Sequence, residues 1–326
     1  MRPHFNRRTL LGLSSLGAAS LAMPAGALAD ENDELHETHD YKVVDGCRIK
    51  LDVHRVPRDE PRPAVVWIHG GALIMGRRGS IDRALLGTLT RAGYVVVSID
   101  YRLAPETKLP AIVEDVQDAC RWVRERGPKL FRIAPERLAV MGGSAGGYLT
   151  LMTGFRVEPR PKALVSFWGY GDVAGAWYSR PDPFYRTRTL VTEAEARVAV
   201  GRAALSEDRG KNNRSRFYLY CRQQGLWPKE VAGHDPDAEP RAFDPLCPLR
   251  NVTPAYPPTL LIHGTKDTDV PYEQSELMDR ELARKGVEHD LITVPGGAHG
   301  LGGTDPATLA DIRRRILVFL DRHVQG

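Results

Sequence analysis

The residue with the strongest claim to chemistry is a serine. Ser144 sits in Leu138-Ala-Val-Met-Gly-Gly-Ser-Ala-Gly-Gly-Tyr-Leu-Thr150. There an apolar run gives way to a glycine-rich turn and then to a helix-compatible segment. Leu138–Met141 reads as a short buried strand, and Tyr148, Leu149 and Leu151 begin the helix. Gly142, Ser144 and Gly146 satisfy the G-x-S-x-G spacing. A serine carried on so tight a bend holds a strained backbone, and glycines two residues to either side let strand and helix approach. Such a serine can attack a carbonyl carbon. The N–H of Ala145, at the start of the helix, can donate to the negative charge that then develops.

A nucleophilic serine needs a base, and the base needs a group to orient it. Two stretches supply these in the chain order Ser144, Asp267, His299. Asp267 follows the apolar run Pro258–His263, within Gly264-Thr-Lys-Asp-Thr-Asp-Val-Pro271. Its neighbour Asp269 competes for the role, and its expected task is to cap the next helix. His299 lies in Pro295-Gly-Gly-Ala-His-Gly300, where glycines let the chain bend and bring imidazole beside the serine. In this reading His299 takes the proton of Ser144 and returns it to a leaving alkoxide. Asp267 fixes the imidazole tautomer and stabilises the imidazolium. A second source of oxyanion donors is expected in His69-Gly70-Gly71-Ala72, through the N–H groups of Gly70 and Gly71. His69 and His263, also at strand ends, are expected to hold loops by hydrogen bonding. Asp100 and Glu106 are expected to pair with Arg102.

These residues need a scaffold. The chain has 326 residues, 42% hydrophobic and 26% charged, which suits one large α/β domain with an insertion. Tyr41–Val44 and Ile49–Val56 read as edge strands joined at Asp45-Gly46. Ala64–Ile68, Tyr94–Ile99, Ala163–Trp168, Pro258–His263 and Glu288–Val294 read as further strands. Helices are expected over Ile81–Arg91, over Ala111–Arg126 with a stop at Gly127-Pro128, over Tyr272–Arg284, and after Asp305. Strands alternating with helices imply a mostly parallel central sheet flanked by helices, and active sites of such sheets form at the carboxyl ends of strands. Every motif above stands at such an end. From about 170 to 253 the pattern changes to short helical pieces, Glu193–Leu205 and Ser215–Gln224. Of the 24 aromatic residues, 13 lie between Phe167 and Tyr256; a disordered linker would be poor in them, so this stretch is expected to be an inserted cap over a pocket, with a small core of its own.

The net charge is +4, and Arg2, Arg7 and Arg8 leave only +1 for the rest of the chain. That balance gives no reason to propose nucleic acid or an anionic membrane as partner. Those arginines belong to a leader. Asn6-Arg7-Arg8-Thr9-Leu10-Leu11 is a twin-arginine start, and Ala27-Leu28-Ala29 offers a cleavage site. Residues 1–29 are therefore expected to direct export to the periplasm or beyond, leaving a domain of 30–326 that opens with a flexible stretch over 30–40. Among the four cysteines, Cys120 continues the apolar face of Val113, Val116 and Val123, while Cys221 and Cys247 could pair. His36 and His39 fall in the expected tail and no paired-cysteine pattern exists, so no metal is expected. Gly142–Gly147 lacks the Lys-Ser/Thr of a phosphate-binding loop, so no nucleotide cofactor is expected.

His69-Gly70-Gly71, Asp100-Tyr-Arg-Leu-Ala-Pro-Glu106 and Gly142-Gly-Ser-Ala-Gly146 resemble the α/β-hydrolase superfamily, and within it the hormone-sensitive-lipase-like carboxylesterases. His263–Pro271 is similar instead to dienelactone hydrolase, prolyl-oligopeptidase-like and xylan acetyl or feruloyl esterase relatives. The resemblance runs over nearly the whole chain beyond the leader. It implies an α/β-hydrolase fold, an oxyanion hole at Gly70 and Gly71, and a serine carboxylesterase acting through an acyl-enzyme. The substrate would be a small-molecule or carbohydrate ester with a short acyl group. Two features depart from the lipase-like pattern. Ala72 stands where its third oxyanion glycine is found, which disfavours bulky tertiary-alcohol esters. The insertion precedes Asp267 rather than lying at the N-terminus. A serine peptidase of the prolyl-oligopeptidase type and a non-catalytic binding protein of the same fold stay open at this level.

Overall fold

The computed structural model describes residues 35–210 and 213–325; the expected leader at 1–29 lies outside them. Among these residues eight strands form one sheet: β1 (Leu35–Val44), β2 (Cys47–Arg55), β3 (Arg62–Ile68), β4 (Val95–Ile99), β5 (Ile133–Gly143), β6 (Ala163–Phe167), β7 (Thr259–Gly264) and β8 (His289–Val294). Their order is β1-β2-β4-β3-β5-β6-β7-β8. β2 pairs antiparallel with both neighbours, and every pairing from β4 to β8 is parallel. The central strands β3, β4 and β6 are buried at every residue, which is why they read as unbroken apolar runs rather than alternating ones.

Among the described residues ten α-helices accompany the sheet. α1 (Arg83–Arg91), α2 (Leu109–Phe131) and α3 (Ala145–Arg156) are crossovers; α4 (Ala176–Ser179), α5 (Pro183–Arg186), α6 (Glu193–Val198), α7 (Ser215–Gln224) and α8 (Trp227–Ala232) fill the segment between β6 and β7; α9 (Glu273–Arg284) and α10 (Pro306–Leu320) complete the chain. The core has two parts, one on each face of the sheet. Val113, Val116 and Cys120 of α2, Leu149 of α3 and Met278 of α9 share one with Phe217 and Trp227 of the insertion. Leu85 and Leu89 of α1 pack with Ile312, Ile316 and Leu320 of α10 in the other. Among the described residues no helix is long and apolar enough to cross a membrane.

Several elements differ from the sequence reading, each for a local reason. Residues 35–40 are strand, because β1 continues its pairing to Leu35 opposite Arg55. α2 does not stop at Gly127-Pro128 but runs on to Phe131 and closes on Arg132 in a left-handed conformation (φ 54°), whose N–H donates to the Gly127 carbonyl. A proline in the last turn forfeits one intrahelical hydrogen bond rather than the helix. Gly127 serves packing there, since a Cβ would lie 2.7 Å from Ile133 Cδ1. α6 ends at Val198, well short of Leu205, after a capping box between Thr192 and Glu195. Cys221 and Cys247 do not pair, and all four cysteines are free thiols. The Cys247 Sγ lies 3.5 Å from an Asp172 carboxylate oxygen instead, and burial pushes both Cys120 and Cys247 up to about 12.

The acidic pairs also differ. Arg102 does not take Asp100 or Glu106 but forks onto Asp115 of α2, Nε at 2.7 Å and Nη2 at 2.8 Å from its two oxygens. The planar guanidinium matches that bidentate geometry. Lys42 of β1 adds a third contact to Asp115 at 2.7 Å. Asp100 pairs with Arg78, and Glu106 with Arg214 from the insertion at 2.7 Å. Asp115 is fully buried and thus joins β1, the turn after β4, and α2. Asp115→Ala would leave a buried guanidinium unpaired. It is expected to cost about 3–5 kcal/mol in urea unfolding; a loss below about 1 kcal/mol would show that Arg102 finds another partner.

Candidate active site

Ser144 stands between β5 and α3 with φ 57° and ψ −122°, a region that L side chains rarely occupy. Its N–H donates to the Phe167 carbonyl at 2.9 Å, which ties the bend to the end of β6. The flanking glycines are needed for close approach. A Cβ on Gly142 would lie 2.4 Å from the Gly146 carbonyl oxygen, and one on Gly146 would lie 2.0 Å from that of Ile68. The strand–turn–helix unit is thus pressed against the end of β3.

The same contact brings the next loop to the serine. A Cβ on Gly70 would meet the Gly143 carbonyl at 2.9 Å and Ser144 Cβ at 3.2 Å. Gly71, Ala72 and Leu73 then all take positive φ, at 111°, 56° and 62°. Glycine bears this freely; Ala72 and Leu73 do not, and about 1–3 kcal/mol of strain per residue must be held by surroundings. Three hydrogen bonds hold the loop. Trp227 Nε1 of the insertion donates to the Ala72 carbonyl at 3.0 Å, the Ala104 N–H to Leu73 at 2.8 Å, and Arg214 Nε to Ile74 at 2.5 Å. His69 is buried beneath, stacked on Tyr101 with ring centroids 4.2 Å apart, and burial pushes it down to about 4. It holds the loop from beneath, and His263 likewise ties strand to helix, its Nδ1 2.7 Å from Ser275 Oγ.

Asp267 and His299 meet. His299 Nδ1 lies 2.8 Å from Asp267 Oδ2, which His263 Nε2 also approaches at 3.3 Å. The other Asp267 oxygen accepts the N–H groups of Asp269 and Val270 at 2.8 and 2.9 Å. Burial alone would raise this carboxyl, but the bonds from His263, His299 and the backbone outweigh it and hold it well below the ordinary carboxylate range. His299 moves the other way. Burial would lower it, yet the hydrogen bond to Asp267 and the charges of Asp269 and Asp267 leave it raised.

Ser144 and His299 line one cleft of about 370 Å³, together with Trp67, Gly70, Gly71, Ala72, Met75, Ser80, Gly143, Trp168, Tyr218 and Asp269. Ala145, buried at the first turn of α3, lies next to the serine. A larger groove of about 760 Å³, walled by Arg55, Arg58, Lys129 and Arg132, has none of these residues in its lining.

Asp269 is the residue the sequence reading misplaced. It does not cap α9. One of its oxygens accepts from Tyr185 Oη at 2.8 Å, from Tyr218 Oη, and from Arg222 Nη1 at 2.9 Å, and the other lies 3.4 Å from His299 Nε2. Arg222 is itself buried, ion-paired also to Asp182, and lies over the rings of Trp177, Tyr178, Tyr185 and Tyr218. The clustered aromatics were the visible signal. Their task is to cage a cation that binds the insertion to the loop carrying Asp267.

A family model described as the alpha/beta hydrolase fold matches residues 65–302. Esterase LipC of Mycobacterium tuberculosis is 28% identical over 267 residues, covering 81% of this chain and 59% of that protein. Non-reducing polyketide synthase atr1 of Stereocaulon alpinum is 31% identical over 304 residues, covering 81% of this chain and 12% of the synthase. The chain thus spans less than two thirds of the length of both relatives. A solved truncated form of a carbohydrate esterase from gut microbiota shares the fold, with a TM-score of 0.65 at 21% identity over 89% of this chain and 98% of that one.

The two carboxylates flanking His299 make a specific demand. Asp269→Asn removes one negative charge beside Nε2, so the imidazolium loses support and its pKa is expected to fall. NMR titration of the His299 ring checks this; an unchanged or higher value would mean that Asp269 does not act on the imidazole.

Proposed function

The chain belongs to the alpha/beta hydrolase fold family, and on that premise we propose that it is a serine carboxylesterase acting on short-acyl esters through an acyl-enzyme. The observation that carries this reading is the 2.8 Å contact between Asp267 and His299, set in one cleft with a serine on a strained bend. Ser144 Oγ attacks the ester carbonyl carbon as its proton passes to His299 Nε2. The tetrahedral oxyanion accepts hydrogen bonds from the N–H groups of Ala145, Gly70 and Gly71. As the C–O bond breaks, His299 returns the proton to the leaving alkoxide. Water then attacks the acyl carbon, giving a proton to His299; as the acyl–Oγ bond breaks, His299 returns that proton to Ser144 Oγ and the acid departs. Asp267 stays ionised throughout and holds the imidazole through Nδ1.

The bulk of Trp67, Met75 and Trp168 around a cleft of about 370 Å³ favours small acyl groups, acetyl on carbohydrate among them. The twin-arginine start at Arg7-Arg8 and the small residues Ala27-Leu28-Ala29 support export as a folded protein to the periplasm or beyond.

Hydrolysis of p-nitrophenyl acetate, butyrate and octanoate tests the proposal. Activity is expected to fall with chain length, and Ser144→Ala is expected to lose about 10⁴-fold or more in kcat; turnover retained in the variant would place the nucleophile elsewhere. The pH profile has a definite sign. The reactive base is neutral imidazole, and His299 is raised, so kcat/KM should climb with pH through a midpoint above the ordinary histidine value of about 6.5. A flat profile across pH 5–8 would count against His299 as the base.

A further inference from the structure

Far from this cleft in function, the first two strands assemble a second group of chemistry-bearing residues. In the antiparallel pairing of β1 with β2, His36 stands directly opposite His54, and Thr38 opposite Asp52. Residues two apart on a strand share a face, so His36, His54 and Asp52 project together. The imidazole rings stack, with centroids 4.6 Å apart and planes within 5°. His36 Nε2 lies 3.5 Å from Asp52 Oδ2. One ligand atom from each of the three residues falls within 4.8 Å of the others.

The carboxylate is oriented from behind. Thr38 Oγ1 donates to Asp52 Oδ1 at 2.6 Å, and Arg78 Nε ion-pairs with the same oxygen at 2.9 Å. Oδ2 is the oxygen on the imidazole side. Partners of this kind fix a ligating carboxylate in metal sites. Arg78 is a cation near the group, but its charge is shared with Asp100 and Glu207. Access comes from the His36 side, whose side chain is 53% exposed while that of Asp52 is 9% exposed.

We propose that His36, Asp52 and His54 bind one borderline divalent cation of the zinc class, with water completing its coordination. Two imidazoles and one carboxylate suit Zn²⁺ and its transition-metal neighbours. They do not suit Ca²⁺ or Mg²⁺, which take oxygen shells. The ion would clip β1, an edge strand of the sheet, to β2. This site is independent of the ester hydrolysis proposed above.

Equilibrium dialysis of the full chain, free of any histidine tag, against Zn²⁺ at neutral pH tests the proposal. One equivalent should bind, and the thermal midpoint should rise with Zn²⁺ but not with Mg²⁺. His36→Ala and His54→Gln should each weaken binding by at least about tenfold and abolish the thermal shift. Circular dichroism checks that both variants remain folded; His36, being largely exposed, keeps the test informative should the other fail. His234→Ala should change nothing. Because His299 faces two carboxylates, His299→Ala is run in parallel. Absence of a saturable equivalent in the parent, binding undiminished in the His36 variant, or binding lost only in the His299 variant would each overturn the proposal.

Discussion

The site depends on one backbone contact. The carbonyl of Ile68, at the end of β3, occupies the place where a side chain on Gly146 would begin, 2.0 Å from its Cβ position. Only glycine permits that distance. Its consequence is geometric: the bend that lifts Ser144 is pressed onto the strand whose continuation is Gly70 and Gly71. The serine and the loop proposed to stabilise its oxyanion are therefore registered to each other by the sheet, through the parallel pairing of Ile68 with Gly142. No side chain need span the gap. A strained serine and a strained loop, with positive φ at Ser144, Ala72 and Leu73, are held by the cooperativity of a buried parallel sheet.

The insertion between β6 and β7 supplies the rest of the restraint. It grips the site at two points. On one side Trp227 and Arg214 bind the carbonyls of Ala72 and Ile74, while Arg214 also forks onto Glu106 at a pair that is 1% exposed on each side. On the other side Tyr185, Tyr218 and Arg222 converge on Asp269, two residues from Asp267. The same short run of helices thus braces both the proposed oxyanion loop and the loop beneath the imidazole. The insertion thus helps to hold the candidate site together.

Much of this was legible in the chain. Unbroken apolar runs such as Ala64–Ile68 marked strands covered on both faces, and glycines at 142 and 146 marked the bend, because only close backbone approach requires them there. The order of Ser144, Asp267 and His299 at successive strand ends suggested their meeting, and the structure brings Asp267 and His299 into contact and places Ser144 in the same cleft. What was not legible depends on partners remote in sequence. Sequence proximity points Arg102 to Asp100 and Glu106, yet it takes Asp115 because α2 brings that carboxylate to its guanidinium and N–H. Asp269 looked like a helix cap, since nothing local announces Tyr185, Tyr218 and Arg222. Residues 30–40 read as a flexible start because they are polar and acidic, and only the pairing of Leu35–Asp40 with β2 makes that part strand.

In the proposed function Ser144 is the nucleophile that takes the acyl group, in a cleft assembled around that backbone contact. The most direct measurement is to expose the folded protein to a fluorophosphonate and locate the adduct by peptide mass spectrometry. One adduct per chain is expected, on Ser144, with labelling greatly slowed when His299 is replaced by alanine. Labelling at another residue, or a folded protein that takes no label, would contradict it.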